Sequence, residues 1–243
     1  MKKTKFRLDI DHSKYLTLEF DGAAKYLDLF DCVTIVYHEN IQKYILYNNG
    51  FVIESLRIFE SILIKTLDGE KVLHESIDRD LGYLWNEYLK DKPGYNFARV
   101  PVEKNSTMWV GLRYLLLSSK KCDTWLYNKD GDICFEITPG YKWHFLKPKN
   151  NEKYISYGKF IKNYKPIAII KLEEKVAQQW LKTISKLVKT AQNNYDRLEK
   201  LVKSGFYFIG HLHKQKGGGF WRTFKNSKRI GTFDQPLGKR TGD

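Results

Sequence analysis

The sequence predicts an α+β fold: a mostly antiparallel sheet packed against two mid-chain helices and a long C-terminal helix. Three observations predict it. Short runs in the first third alternate apolar and polar residues with period two. Two mid-chain segments and one stretch at about residues 173–203 carry apolar residues at helical spacing. Between them lies an Asp-Gly pair flanked by strand-forming runs.

Phe6, Leu8 and Ile10 alternate in KFRLDI, and Leu16, Leu18 and Phe20 do so in YLTLEF. CVTIVYHE and QKYILYNNGFVI follow, with Asn48-Asn49-Gly50 read as a turn. Such runs with turn residues between them predict antiparallel strands, each with one buried face. In ESLRIFESILIKT, Leu56, Phe59, Ile62 and Leu63 fit a 3.6-residue period. In HESIDRDLGYLWNEYLK, Ile77, Leu81, Leu84, Trp85, Tyr88 and Leu89 form one helical face, which predicts a helix over about 74–90. Lys92-Pro93-Gly94 is the stop signal. MWVGLRYLLLSS, residues 108–119, returns to strand composition.

TWLYN and ICFEI, separated by Lys129-Asp130-Gly131-Asp132, predict a hairpin, closed by Thr138-Pro139-Gly140. Asn128, Asp130 and Asp132 share the one-three-five spacing of a calcium loop. That loop needs glycine at its sixth position and glutamate at its twelfth. Ile133 holds the sixth position, so the hairpin reading prevails and calcium is not expected. Cys134 falls mid-strand among apolar neighbours, as a core thiol does. A strand is expected over Ile167 to Leu172, then the longest helix. Its face runs through Val176, Trp180, Ile184, Leu187, Val188, Ala191, Tyr195 and Leu198. Glutamates open that helix, lysines close it and Gly205 follows, an order that suits the macrodipole and a C-terminal cap.

The expected organisation is a single α+β domain over 1–204, with a candidate sub-boundary near 146–155, and a basic, aromatic-rich segment over 205–243. The 243 residues suffice to bury a core without staples. Three cysteines, Cys32, Cys122 and Cys134, with no CxxC, indicate neither a disulfide framework nor a cysteine zinc site. The basic N-terminus has no apolar run behind it, and no window resembles a membrane span, so a soluble cytoplasmic protein is expected.

The net charge of +14 is uneven: residues 1–150 carry a balance of +1 and residues 151–243 one of +13. The basic third would suit a polyanion or an acidic protein, or be a solvated lysine-rich helix with a loose tail. Lys182, Lys186 and Lys189 lie off the apolar face of the long helix. In the tail, Trp221, Arg222, Phe224, Lys225, Lys228 and Arg229 interleave rings with cations, the pairing that single-stranded nucleic acid uses. FYFIGHLHK is a further candidate strand, on which His211 and His213 would share a face usable for a metal. No third ligand lies near them in sequence, so no metal is expected. There is no P-loop, GxGxxG, HExxH or GxSxG pattern, and no cofactor is expected. An enzyme assembled from residues far apart, with His144, His211 or His213, is the remaining alternative.

Three segments together resemble immunity proteins of bacterial contact-dependent inhibition and polymorphic toxin systems. They are LHESIDRDLGYLWNEYL (73–89), WVGLRYLLLSS with TWLYNKDGDICFEITPGYKW (109–143), and FIKNYKPIAIIKLEEKVAQQWL (160–181). The resemblance spans roughly residues 1–200. It implies a non-enzymatic protein that binds and neutralises one cognate toxin domain. The expected contact surface is the 124–145 hairpin with the adjoining helix, through Trp125, Tyr127, Asp130, Asp132, Tyr141 and Trp143. The alternative is nucleic-acid binding through the basic C-terminal third.

Overall fold

The alternating runs of the first fifty residues close into a four-stranded antiparallel meander in the structure, a computed structural model that describes residues 3–91, 99–103, 106–144 and 146–203. Its strands are β1 (Lys3–Asp9), β2 (Lys14–Asp21), β3 (Cys32–Glu39) and β4 (Gln42–Phe51), in that order. Register fixes the faces. Leu8 pairs with Leu16, Leu16 with Tyr37 and Leu18 with Ile35, and all five are buried on one side. Lys5, Glu19, Arg7 and Tyr15 lie on the other, where Lys5 pairs with Glu19 at 2.6 Å and Arg7 stacks over Tyr15 at 3.7 Å.

Asn48-Asn49-Gly50, expected as a turn, lies inside β4. Asn49 takes φ 54°, and the register shifts between Val33, Ile35 and Val36, so the pair bends locally without reversing. The reversal is at Asn40-Ile41, where Asn40 has φ 51°. Asparagine tolerates that left-handed conformation because its short side chain can bond locally.

α1 (Val52–Leu67) follows directly and buries Leu56, Phe59, Ile62 and Leu63, the expected face. The next helix, α2 (Leu81–Asp91), begins seven residues later than expected. Residues 71–77 lie instead against the end of the hairpin: Leu73 N donates to Asn128 O at 2.8 Å, and Asn128 N to Lys71 O at 2.9 Å. The Tyr114 hydroxyl donates to Val72 O at 2.8 Å and accepts from His74 N at 3.1 Å. These bonds hold residues 71–74 extended beside Asn128, in a parallel bridge at Val72, ahead of the helix.

β5 (Arg99–Glu103) and β6 (Ser106–Trp109) form a two-stranded ribbon. The 108–119 segment, expected as one strand, is interrupted by α3 (Val110–Tyr114) before β7 (Leu115–Ser118). The break lets both Val110 and Tyr114, four residues apart on one helical face, pack under α2.

The hairpin forms as β8 (Cys122–Lys129) and β9 (Asp132–Pro139). Asp130 and Gly131 have φ 53° and 83°, the double positive φ of a two-residue turn. After the short helix α4 (Tyr157–Lys162), β10 (Ala168–Leu172) completes a second antiparallel sheet, ordered β10-β9-β8-β7. The expected α+β architecture thus forms with two four-stranded antiparallel sheets among the described residues, where one was expected. α5 (Glu174–Lys203) is the long helix.

The hairpin sheet is buried on both sides. One side shares a core with the first sheet, α1 and α5, where Trp180 meets Phe59 and Phe135 edge-on at 6.0 and 5.5 Å. The Trp180 indole donates to Asp9 O at 2.8 Å, tying α5 to β1. The other side, Trp125, Tyr127 and Cys134, is covered by Leu81, Trp85 and Leu89 of α2. The chain divides into two compact units, Met1–Gly205 and Phe206–Asp243, and every described residue belongs to the first. The Lys92-Pro93-Gly94 stop, Gly205, the candidate strand with His211 and His213, and Trp221, Arg222, Phe224, Lys225, Lys228 and Arg229 lie outside the described residues.

Candidate functional site

Alternation along β8 and β9 places Asp123, Trp125 and Tyr127 opposite Thr138, Glu136 and Cys134, all on the face that α2 covers. One polar side chain and one glycine bring α2 down onto that face. Asn86, fully buried, donates from Nδ2 to Gly82 O at 2.7 Å and Pro139 O at 3.0 Å, and its Oδ1 accepts from Tyr141 N at 2.8 Å. Gly82 gives the close approach: a Cβ there would collide with Thr138 and stand 2.5 Å from the Tyr164 hydroxyl.

Two carboxylic acids are buried beneath. Asp123 is 3% exposed and Glu136 1%. Ser118 Oγ donates to Asp123 Oδ1 at 2.6 Å. Burial nevertheless pushes Asp123 up to about 7, with the Ser118 bond pulling the other way. Burial also pushes Glu136 up to about 7, opposed by a 2.8 Å bond that Tyr127 donates to Oε2. Glu136 Oε1 is buried and has no hydrogen-bond partner among the described residues.

Glu136 lines a cleft of about 330 Å³ between the 73–81 segment, the β8–β9 hairpin and β10. Tyr127, Cys134 and Leu81 also line it. Asp78 and Asp80 contribute from the segment ahead of α2, and Asp130, Asp132 and Lys129 from the hairpin end. Lys171 of β10 closes on Asp132 at 2.5 Å. Cys134 is raised by burial first and by Asp132 second, which keeps it a thiol and a weak nucleophile.

The expected contact residues separate into two groups. Trp125, Tyr127 and Tyr141, three of the expected contact residues, are 0%, 5% and 8% exposed and pack into the interior. Trp125 packs edge-on against Trp85 at 5.9 Å and donates Nε1–H to Thr138 Oγ1 at 2.9 Å. Tyr141 anchors a ring cluster with Trp143, His144, Tyr157 and Phe160, and its hydroxyl donates to Ile155 O at 2.9 Å. Trp143 is half-buried in that cluster. Asp130 is exposed and Asp132 half-buried, and the structure brings these two together at the cleft.

Asn128 turns its amide to Thr66 O at 3.0 Å, away from any calcium-loop arrangement. No group of three or more His, Cys, Asp or Glu among the described residues is placed to hold a metal ion. No helix among the described residues is long and apolar enough to cross a membrane. Sequence reading missed Glu136, Asn86 and Gly82. A glutamate centred in the apolar run ICFEI was the signal for the first.

Comparison with known proteins finds no match: no family model, no curated protein and no solved structure is similar to this chain.

Proposed function

We propose that this is a non-enzymatic, cytoplasmic immunity or inhibitor protein that binds and neutralises a cognate bacterial toxin domain. The contact surface is the hairpin end and the cleft beside it, with Asp130 and Asp132 at the rim. Glu136 carries this reading: a buried carboxyl in the wall of a charged cleft, with one oxygen that has no hydrogen-bond partner among the described residues. An unmatched buried acceptor costs stability, roughly 1–3 kcal/mol, and such a group is explained by a partner that supplies the missing donor. The surrounding frame is rigid, since the hairpin is packed on both faces, and a preformed surface loses little entropy on binding. The test is rescue. The product of the neighbouring gene should kill cells when expressed alone and spare them when the protein is co-expressed, and unchanged killing or no killing at all would reject the proposal.

A second reading, nucleic-acid binding through the C-terminal third, is favoured by one observation. Lys175, Lys182, Lys186 and Lys189 are all exposed along α5. Phosphate-led binding would weaken steeply with salt and be lost on replacing these four lysines by glutamine together with deleting residues 206–243. Affinity that is absent at low salt, or that survives both changes, removes this reading.

A further inference from the structure

We propose that the cleft beside the hairpin is a receptor for a guanidinium or primary ammonium group, recognised by Glu136 at its buried wall and by Asp80 at its rim. The inference deepens the inhibitor reading and rests on it for the source of that group, which is an arginine or lysine side chain of the partner protein.

Three observations converge. The first is the open valence: Oε2 of Glu136 accepts from Tyr127 at 2.8 Å, while Oε1, also buried, accepts from no other described residue. A carboxylate has about four acceptor directions, so a donor entering the cleft has a place to bind. The second is charge. The cleft is lined by five carboxylic side chains, Asp78, Asp80, Asp130, Asp132 and Glu136, against three basic ones. Two of those basic groups are engaged: Lys171 with Asp132 at 2.5 Å, and Arg79 with Glu87 at 3.7 Å and over the Tyr83 ring at 5.3 Å. A cation is therefore the complementary guest. The third is shape. About 330 Å³ is at the lower end of small-ligand pockets, suited to one side chain and not to a polymer.

Apolar walls from Leu73, Ile77 and Leu81 suit the methylene stem that both basic side chains carry. Arginine is the better fit of the two. Its planar fork can donate to Glu136 Oε1 and to a second carboxylate at once, and it is the less strongly hydrated cation.

The test uses the full chain with 13C-labelled glutamate and no toxin. Nuclear magnetic resonance follows the Glu136 carboxyl while N-acetyl-arginine methylamide is added, with the neutral citrulline analogue as control. The arginine compound should shift that resonance and bind at least about tenfold more tightly than the citrulline one, as expected for a charge-assisted bond. E136Q should remove that preference, since its amide can still accept from Tyr127. D80N, an exposed position, should weaken binding about threefold and provides the test if E136Q does not fold. Equal binding of the two compounds, no shift at Glu136, or wild-type affinity in a folded E136Q or D80N would overturn the proposal. Agmatine binding tenfold more tightly than the arginine compound would make the guest a free small cation and overturn the side-chain source. Failure here leaves toxin rescue standing, and failure of rescue leaves this titration standing, so the two outcomes are separable.

Discussion

Tyr127 donates its hydroxyl to Glu136 Oε2 at 2.8 Å, and this bond is the one partner that the buried carboxyl has among the described residues. Tyr127→Phe keeps the ring packed against Tyr114 and removes only the donor. The expected loss is about 1–3 kcal/mol, the cost of leaving a buried polar group unmatched. Urea denaturation measures it. Glu136 should also titrate at higher pH in this variant, because the bond that favours its charged form is gone.

Stability should fall as pH rises from about 4 to about 7. Asp123 and Glu136 are both pushed up to about 7 in the folded protein, above ordinary carboxyl values of 3.8 and 4.5. Across that window the folded state binds more protons than the unfolded one, so raising the pH favours unfolding. The favourable contribution is complete below the unfolded values and is lost as pH passes the folded ones. Asp123→Asn should flatten this slope and be more stable than wild type at pH 8. Denaturation midpoints at pH 4.5, 6 and 8 decide it, and a wild-type slope in the variant would contradict the assignment.

Cation binding at the cleft should strengthen as pH rises through about 7, the region where Glu136 loses its proton. The groups facing Glu136 are Tyr127 and Lys129 from β8, Cys134 from β9, Asp80 ahead of α2, and Tyr164 after α4. Tyr127, Cys134 and Tyr164 are all held up by burial, so they stay neutral across that range. Titrations at pH 6 and pH 8 should differ by about fivefold to tenfold, in favour of pH 8. Equal affinities would assign recognition to the rim carboxylates alone.

Gly82→Ala should destabilise even though alanine is the better helix former. The propensity gain is at most about 1 kcal/mol. Against it stands the collision of the new methyl with Thr138, and overpacking of this kind costs about 1–3 kcal/mol. The close contact includes the Thr138 Cβ, which a side-chain rotation cannot move away. Thermal unfolding measures the net loss.

Asn86→Ala should cost about 2 kcal/mol or more, because Pro139 O and Tyr141 N both lose their partner in a buried place. Trp125→Ala should cost about 3–5 kcal/mol, the range for truncating a fully buried tryptophan. Both variants loosen α2 on the sheet and should weaken binding at the cleft by disordering its wall. A folded Trp125→Ala protein with wild-type stability would contradict the packing described.

Much of this fold was legible in the sequence because its signals are local. The Asp130-Gly131 turn, the period-two runs before residue 40 and the apolar stripe from Val176 to Tyr195 each depend on nearby residues alone. The start of α2 was not legible. Ile77 continues the helical stripe in sequence, but residues 71–74 are tied to Asn128 and Tyr114, which are distant in the chain. Trp125 and Tyr127 looked like surface for a similar reason: their cover, α2, is forty residues away. The site was half legible. Asp130 and Asp132 stood out as a turn, whereas Glu136 gains its meaning only from burial under a helix.

The most direct measurement is capture of the product of the neighbouring gene by the tagged full chain, with and without nuclease, for wild type and E136Q. The proposed function predicts a one-to-one protein complex that survives nuclease and moderate salt, and that is weakened in E136Q. Recovery of nucleic acid, with every protein lost on nuclease treatment, would contradict it and transfer the function to the basic C-terminal third.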